Sequence, residues 1–139
     1  MRRLFLLCPV LTVSACSLLP LPEPDPSQAW IDLDAAKDNR IEALMADRQE
    51  LRDPRYFQVT PGAHELQVRY RFDVDPTNIG SGSEPLPRTC VIEVAYPNFS
   101  AGERYRLQAG QTGLHPWARL YDDQQREVAR GEESRCGDV

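Results

Sequence analysis

The sequence has few of the residues that build reactive sites, with only two histidines among 139 residues. His64 and His115 stand far apart, so no His-x-His or His-x-x-x-His metal motif occurs. No glycine-rich phosphate loop and no activated nucleophile can be recognised either. We therefore predict that the protein is not an enzyme, that it has no catalytic residue, and that it binds no metal or cofactor. His64 is expected to order the turn after Gly62 through a backbone hydrogen bond, and His115 is interpreted as a loop residue.

Positive charge is also scarce. The 16 basic residues include a single lysine, Lys37, and they face 21 acidic residues, for a net charge of −5. Binding to nucleic acid needs concentrated lysine and arginine against the phosphates, so nucleic acid is excluded as a partner. The chain length suits one domain with a single core.

The apolar run near the amino terminus is too short to cross a bilayer comfortably. It follows Met1-Arg2-Arg3 and covers residues 4–13. A basic start, an apolar centre and small residues before a cysteine are typical of an export signal.

The residues Val13-Ser14-Ala15-Cys16 resemble the lipobox of bacterial lipoproteins. The resemblance implies that residues 1–15 are removed as a signal peptide and that Cys16 is lipidated as the first residue of the mature chain. In such lipoproteins an aspartate after the cysteine tends to retain the protein at the inner membrane, whereas here Ser17 follows. A lipid anchor in the outer membrane and a domain in the periplasm are therefore implied. An ordinary secretory signal with a chance cysteine is the alternative.

Proline occupies every second position from Pro20 to Pro26. Because proline fixes φ and donates no backbone hydrogen bond, residues 16–28 are predicted to carry the lipid and form an extended spacer. The folded domain is then expected at residues 29–139. A proline-rich docking ligand is the alternative, but no aromatic or basic specificity residue accompanies the prolines.

Cysteine usage predicts one disulfide. Cys8 lies in the signal and Cys16 carries lipid, so Cys90 and Cys136 remain, and in an exported protein such a pair is expected to be oxidised. The bond closes a loop of 46 positions, for which chain entropy gives about 4 kcal/mol of stabilisation. A redox or metal-binding pair is disfavoured, because the sequence offers no third ligand nearby and no C-x-x-C spacing.

Alternation of apolar and polar residues predicts a β protein, most clearly where Leu66, Val68, Tyr70 and Phe72 share one face of a strand. Pro97 is expected to end the second strand, because proline cannot donate to a ladder. The predicted strands cover residues 64–72, 89–96, 104–107, 117–121 and 126–130, the last two forming a hairpin, and residues 75–85 are predicted to be a mobile loop. The expected fold is an all-β, antiparallel β-sandwich of about six to eight short strands with one disulfide.

One segment permits two interpretations. Apolar spacing and helix-forming residues favour a helix over residues 38–51. A strand over residues 41–46 followed by a turn at residues 47–50 is the alternative. Residues 41–70 resemble a PEGA-type module, in which a strand, a turn and a second strand precede a Pro-Gly-x-His turn and an alternating strand; the matched residues are Pro61, Gly62, His64, Leu66 and Val68. Where that family often has glycine in the earlier turn, this chain has Arg48. The resemblance implies a small envelope β-domain suited to binding, without a defined ligand site.

The strings Arg69-Tyr70-Arg71-Phe72 and Arg104-Tyr105-Arg106-Leu107 each place two guanidiniums on one face of a strand. If the two strands are neighbours, Arg69, Arg71, Arg104 and Arg106 form an anion-binding face for phosphate or carboxylate groups of envelope glycans or lipopolysaccharide. Because the domain is net acidic, we favour the other interpretation, in which cross-strand pairs with Glu65, Glu93 and Glu103 neutralise this face. An aromatic platform for sugars that includes Trp117 is a further alternative.

The sequence therefore predicts a non-enzymatic cell-envelope lipoprotein, a lipid-anchored periplasmic β-domain that binds an envelope protein, a glycan or another surface component. The alternative is a lipoprotein inhibitor or immunity protein that acts against a lysozyme or a secreted toxin.

Overall fold

The computed structural model describes residues 19–75 and 85–139, and this part of the chain is all-β, as predicted, with no helix. None of the described residues forms a helix long and apolar enough to cross a membrane. The nine described strands are β1 (Ala29–Ala35), β2 (Arg40–Ala46), β3 (Gln49–Glu50), β4 (Tyr56–Val59), β5 (Gly62–Val74), β6 (Leu86–Phe99), β7 (Arg104–Thr112), β8 (His115–Tyr121) and β9 (Glu127–Cys136).

These strands form one continuous mixed sheet in the order β3-β2-β5-β6-β9-β8-β7-β1-β4. The prediction specified an antiparallel sandwich of two sheets, whereas here a single hydrogen-bonded sheet contains one parallel pair, β1 with β7. The sheet curls round its core, so that the Ala43 N–H of β2 donates to the Pro54 carbonyl just before β4 (2.8 Å). One face of every long strand can then be buried in a single interior.

The alternating pattern of β5 is confirmed, since Leu66, Val68, Tyr70 and Phe72 are all buried while the residues between them face outward. Burial of such side chains supplies about 25 cal/mol per Å² of apolar surface removed from water, which is the main force holding the strands together. The core includes Ile31, Phe57, Leu66, Val68, Tyr70, Phe72, Ile92, Val94, Tyr105, Leu107 and Leu120.

The ambiguous segment forms a strand and a tight turn, so the strand interpretation is confirmed and the helix is wrong. Asp47 and Arg48 have φ values of 50° and 65°, and Ala46 pairs with Gln49 across the two-residue turn. Positive φ at both central residues is the turn geometry that matches the twist of a hairpin. Arg48 therefore adopts a backbone conformation that glycine occupies with less strain.

Pro97 does not end β6, which continues to Phe99. His64 pairs with Tyr96 and Gly62 pairs with Phe99, so two β6 residues stand opposite Ala63 alone. A bulge tolerates a residue without an N–H, and the proline is accommodated there rather than acting as a stop.

The disulfide between Cys90 and Cys136 is confirmed, with sulfurs 2.12 Å apart, and it joins residues that face each other across β6 and β9. The predicted hairpin is also present as β8 and β9. Its turn is held by the buried Asp122 carboxylate, which accepts hydrogen bonds from the backbone N–H of Arg126 and of Gln124. These bonds lower the pKa of Asp122. Residues 76–84 of the predicted mobile loop lie outside the described residues.

The last residues of the predicted spacer lie against the domain. The Asp25 N–H donates to Gln58 Oε1 (2.9 Å), and the Gln28 carbonyl accepts a hydrogen bond from the Gly102 N–H (2.9 Å). These contacts fix the direction in which the chain enters β1.

Candidate arginine cleft

The four arginines of the predicted anion-binding face lie on the outer face of the sheet, but they do not form one patch. Arg69 and Arg71 belong to β5, whereas Arg104 and Arg106 belong to β7, and β6, β9 and β8 lie between the two strands. The condition that the strands be neighbours is therefore not met. Each pair has its own surroundings.

The β7 pair is engaged by acidic residues of β1. Arg104 makes a forked contact with Asp32, at 2.6 Å from Nε and 2.9 Å from Nη2, and Arg106 Nη1 lies 3.1 Å from Asp34 Oδ2. The bond from Arg104 lowers the pKa of Asp32, which keeps that carboxylate charged. The neutralising acids are thus residues of the parallel neighbour β1, not the glutamates expected from the sequence. These two arginines have little capacity left for an external anion.

Two of the three predicted glutamates have other partners. Glu93 accepts a hydrogen bond from Gln67 Nε2 (3.0 Å), and Glu103 accepts one from the Tyr105 hydroxyl (2.9 Å). Neither forms an ion pair with an arginine of β5 or β7 among the residues that the structure describes.

The β5 pair lines a surface cavity of about 360 Å³, which we call the arginine cleft and define by Arg40, Glu42, Arg69, Arg71, Thr89 and Val139. Register explains the convergence, because Arg40 of β2 stands directly opposite Arg71, and Arg71 stands opposite Thr89 of β6. Three guanidiniums and a hydroxyl therefore share one concave surface.

Only one carboxylate balances these three cations among the described residues. Arg69 Nη1 lies 3.6 Å from Glu42 Oε2, while no described carboxylate lies within 4.0 Å of Arg40 or Arg71. Like charges directly opposite each other on neighbouring strands are unfavourable. In addition, the Arg69 Nε–H is buried without a hydrogen-bond partner, which leaves a donor unsatisfied. An anion in the cleft would relieve the repulsion between Arg40 and Arg71.

Sequence reasoning identified Arg69 and Arg71 but missed Arg40. The alternation of Arg40, Ile41 and Glu42 is a strand signal, and it was concealed by the strong helix-forming residues that follow. Arg40 lies opposite Arg71 because β2 pairs with β5, and this pairing was not recognised from the sequence.

The aromatic platform is largely covered. Trp30 is buried and stacks on Tyr56 with ring centroids 4.2 Å apart. Trp117 is half-buried over Gly110, where an added Cβ would lie 2.4 Å from the indole ring, and the Arg119 guanidinium lies 4.3 Å from the ring centroid. An open aromatic face suited to a sugar ring is therefore not offered by Trp30 or Trp117.

His64 is held in an acid, imidazole and hydroxyl arrangement with Asp47 and Thr60. Its Nδ1 contacts Asp47 Oδ2, and its Nε2 lies 3.1 Å from Thr60 Oγ1 and 2.6 Å from the Thr60 carbonyl oxygen. The carbonyl can only accept, so Nε2 serves as a donor there and does not take a proton from the hydroxyl. This contact is the backbone hydrogen bond predicted for His64, and it secures the turn.

Comparison with known proteins gives no family assignment, because no protein-family model, no curated protein and no solved structure matches this chain.

Proposed function

We propose that the protein is a non-enzymatic cell-envelope lipoprotein, anchored through lipid on Cys16 in the outer membrane, whose periplasmic β-domain binds an anionic envelope component in the arginine cleft. The anchor and the location rest on the amino-terminal sequence, and the binding site rests on the geometry of β2, β5 and β6. The proposed ligand is a phosphate or carboxylate group of an envelope glycan, glycolipid or protein.

The observation that carries the proposal is the facing pair Arg40 and Arg71, together with Arg69, balanced by Glu42 alone among the described residues. Guanidinium groups match planar or tetrahedral oxyanions with two parallel hydrogen bonds, so a cleft with three of them can hold one anion firmly. The Thr89 side chain supplies a further hydroxyl at the same surface.

The chain contains a matched control for this proposal. In both Arg-Tyr-Arg strings the arginines lie on the outer face of the sheet. The β7 arginines are paired with Asp32 and Asp34. The β5 arginines lie beside Arg40, and neither Arg40 nor Arg71 has a carboxylate within 4.0 Å among the described residues. We therefore compare R69Q/R71Q and R40Q with R104Q/R106Q, using mature lipidated protein in detergent and purified lipopolysaccharide as the probe.

Charged hydrogen bonds contribute about 1.5–3 kcal/mol each, so R69Q/R71Q is expected to weaken binding by at least about tenfold. R40Q should weaken binding in the same direction, whereas R104Q/R106Q should leave it unchanged. Binding to the intact cleft should also fall as salt rises. Equal retention of the probe by R69Q/R71Q and R104Q/R106Q would contradict the proposal, as would the absence of any binding by the wild type to lipopolysaccharide or to other anionic envelope material.

A further inference from the structure

The disulfide lies against groups that commonly ligate metal ions. Glu133 Oε2 is 3.0 Å from Cys136 Sγ and 3.9 Å from Cys90 Sγ. The ligand atoms of these three residues all lie within 4.8 Å of one another. His115 extends the group, because its Nδ1 is 3.6 Å from Glu133 Oε1. We call Cys90, Cys136, Glu133 and His115 the sulfur and carboxylate cluster.

A bulge in β9 assembles the cluster. Ile92 pairs with Glu133 and Val91 pairs with Arg135, so Ser134 has no partner of its own in the ladder. The extra residue brings Glu133 to the same side of the strand as Cys136, although the two residues are three positions apart. His115 approaches from the start of β8, the next strand in the sheet. Residue spacing alone does not reveal a third ligand, because it does not show the bulge.

While the two sulfurs are bonded to each other, neither can donate a hydrogen bond to the Glu133 carboxylate. A disulfide sulfur carries no proton, so the 3.0 Å approach of Glu133 to Cys136 is a contact between two acceptors. The cations near Glu133 are Arg88, with Nη2 at 3.6 Å, and His115 when it is protonated. Reduction changes the character of the cluster, because it yields two thiols that can donate to Glu133 or lose their protons to a metal.

We propose that the reduced form of this protein binds a zinc ion through Cys90, Cys136, Glu133 and His115, so that the disulfide and the metal are alternative ways of joining β6 to β9. Two cysteines, a histidine and a carboxylate supply the four ligands of a tetrahedral zinc site. A dithiol reductant gives two electrons and two protons to the disulfide and becomes a disulfide itself. Zinc binding then releases the two thiol protons to solvent, leaving two thiolates on the metal.

Two of the four proposed ligands, His115 and Glu133, are open to a surface cavity. A surface cavity of about 280 Å³ is lined by His115 and Glu133 together with Thr112, Pro116, Trp117 and Glu132. The His115 side chain is 83% exposed, so it can turn toward an ion without disturbing the core. Arg88 opposes the positive charge of the metal, and its removal should therefore strengthen binding.

The test uses mature protein reduced with a dithiol, freed of the reductant under nitrogen, and titrated with Co²⁺ as a spectroscopic substitute for zinc. We expect the reduced wild type to bind one Co²⁺ with thiolate-to-metal charge-transfer absorption, and Zn²⁺ to displace it. The oxidised protein should show no such band. E133Q and H115A should each lower the affinity by at least about tenfold, R88Q should raise it, and E132Q is the matched control on the neighbouring residue.

Reduced wild type without charge-transfer absorption would overturn the proposal. Equal affinity of E133Q, H115A and E132Q would also overturn it, because two thiols alone would then account for the metal. This comparison remains decisive if reduction loosens the fold, since an unfolded chain would not distinguish Glu133 from Glu132. Circular dichroism of each reduced variant shows whether the variant has kept its fold.

Discussion

Exposed side chains of this protein are also held in place by specific hydrogen bonds to oxygen and nitrogen atoms. Asp47 is an example, since its two carboxylate oxygens accept hydrogen bonds from the His64 ring and from the Glu65 backbone N–H. The bond from His64 and the bond from Glu65 lower the pKa of Asp47. The carboxylate therefore links the β2–β3 turn to the start of β5, next to the turn at Gly62 that His64 was predicted to order.

The lowered pKa of Asp47 has a defined effect on stability. A carboxyl group whose pKa is lower in the folded state stabilises the fold above its ordinary pKa of 3.8, and this contribution is lost as the pH falls through the lowered folded value. D47N removes the charge and keeps a residue that tolerates positive φ. We expect D47N to be less stable than the wild type at pH 6, and the difference to shrink below about pH 4. Urea unfolding at a series of pH values measures it, and a difference that is constant with pH would contradict the assignment.

At the scale of elements, the sequence predicted β5 and the β8–β9 hairpin, but β1 was not among the predicted strands although Ala29, Trp30 and Ile31 are buried. The alternation in β5 and the turn between β8 and β9 are local patterns, so they were recognised. Long-range pairing was not recoverable, because nothing in Arg104 or Arg69 indicates that three strands separate them. The helix that propensity alone favoured over residues 38–51 does not form, since pairing of β2 with β5 overrides the helix propensity of alanine and glutamate. Arg40 was not predicted as a site residue for the same reason, because the pairing of β2 with β5 was not foreseen.

The contact between β6 and β9 depends on a residue without a side chain. A Cβ added to Gly131 would lie 2.2 Å from the Glu93 carbonyl oxygen and 2.5 Å from Val94 Cγ2. The first of these atoms belongs to the backbone of a paired strand and cannot turn away. Gly131 thus allows β9 to approach β6 closely.

We expect G131A to lower the free energy of unfolding by about 3 kcal/mol, at the upper end of the usual cost of overpacking. Gly113 is the control, because an added Cβ meets nothing within 4 Å there and only its φ of 62° opposes alanine, at a cost of about 1 kcal/mol. Chemical denaturation of both variants with the disulfide intact separates the two effects. A G131A variant no less stable than G113A would show that β9 can move away from β6.

At the scale of the whole molecule, the proposed lipid anchor and the described domain are connected through residues that lie against the sheet. Asp25 and Gln28 are hydrogen-bonded to Gln58 and Gly102, so the chain leaves the domain in a fixed direction. Arg55 also donates a hydrogen bond to the Leu19 carbonyl, so the prolines between Leu19 and Asp25 lie between two points of contact with the domain. If the chain is anchored as proposed, only the residues before Leu19 would set the distance between the domain and the membrane.

Lipidation at Cys16 predicts a simple fractionation result. Wild-type protein is expected in the membrane fraction, and C16S is expected to be lost from it, because serine has no sulfur to which a lipid group can be joined by a thioether. C8S is the matched control, since residue 8 belongs to the segment expected to be removed. Immunoblots of membrane and soluble fractions measure the distribution. Soluble wild-type protein, or membrane-bound C16S, would contradict the lipoprotein assignment.

The position of β1 in the sheet also governs when the polypeptide can acquire its structure during biosynthesis. Because Trp30 pairs with Arg104 and Ala29 with Val59, the first strand to emerge is left without one neighbour until most of the chain has been made. Such distant pairing slows folding. If the chain is exported as proposed, this delay would keep it free of a complete sheet while it passes through a translocation channel.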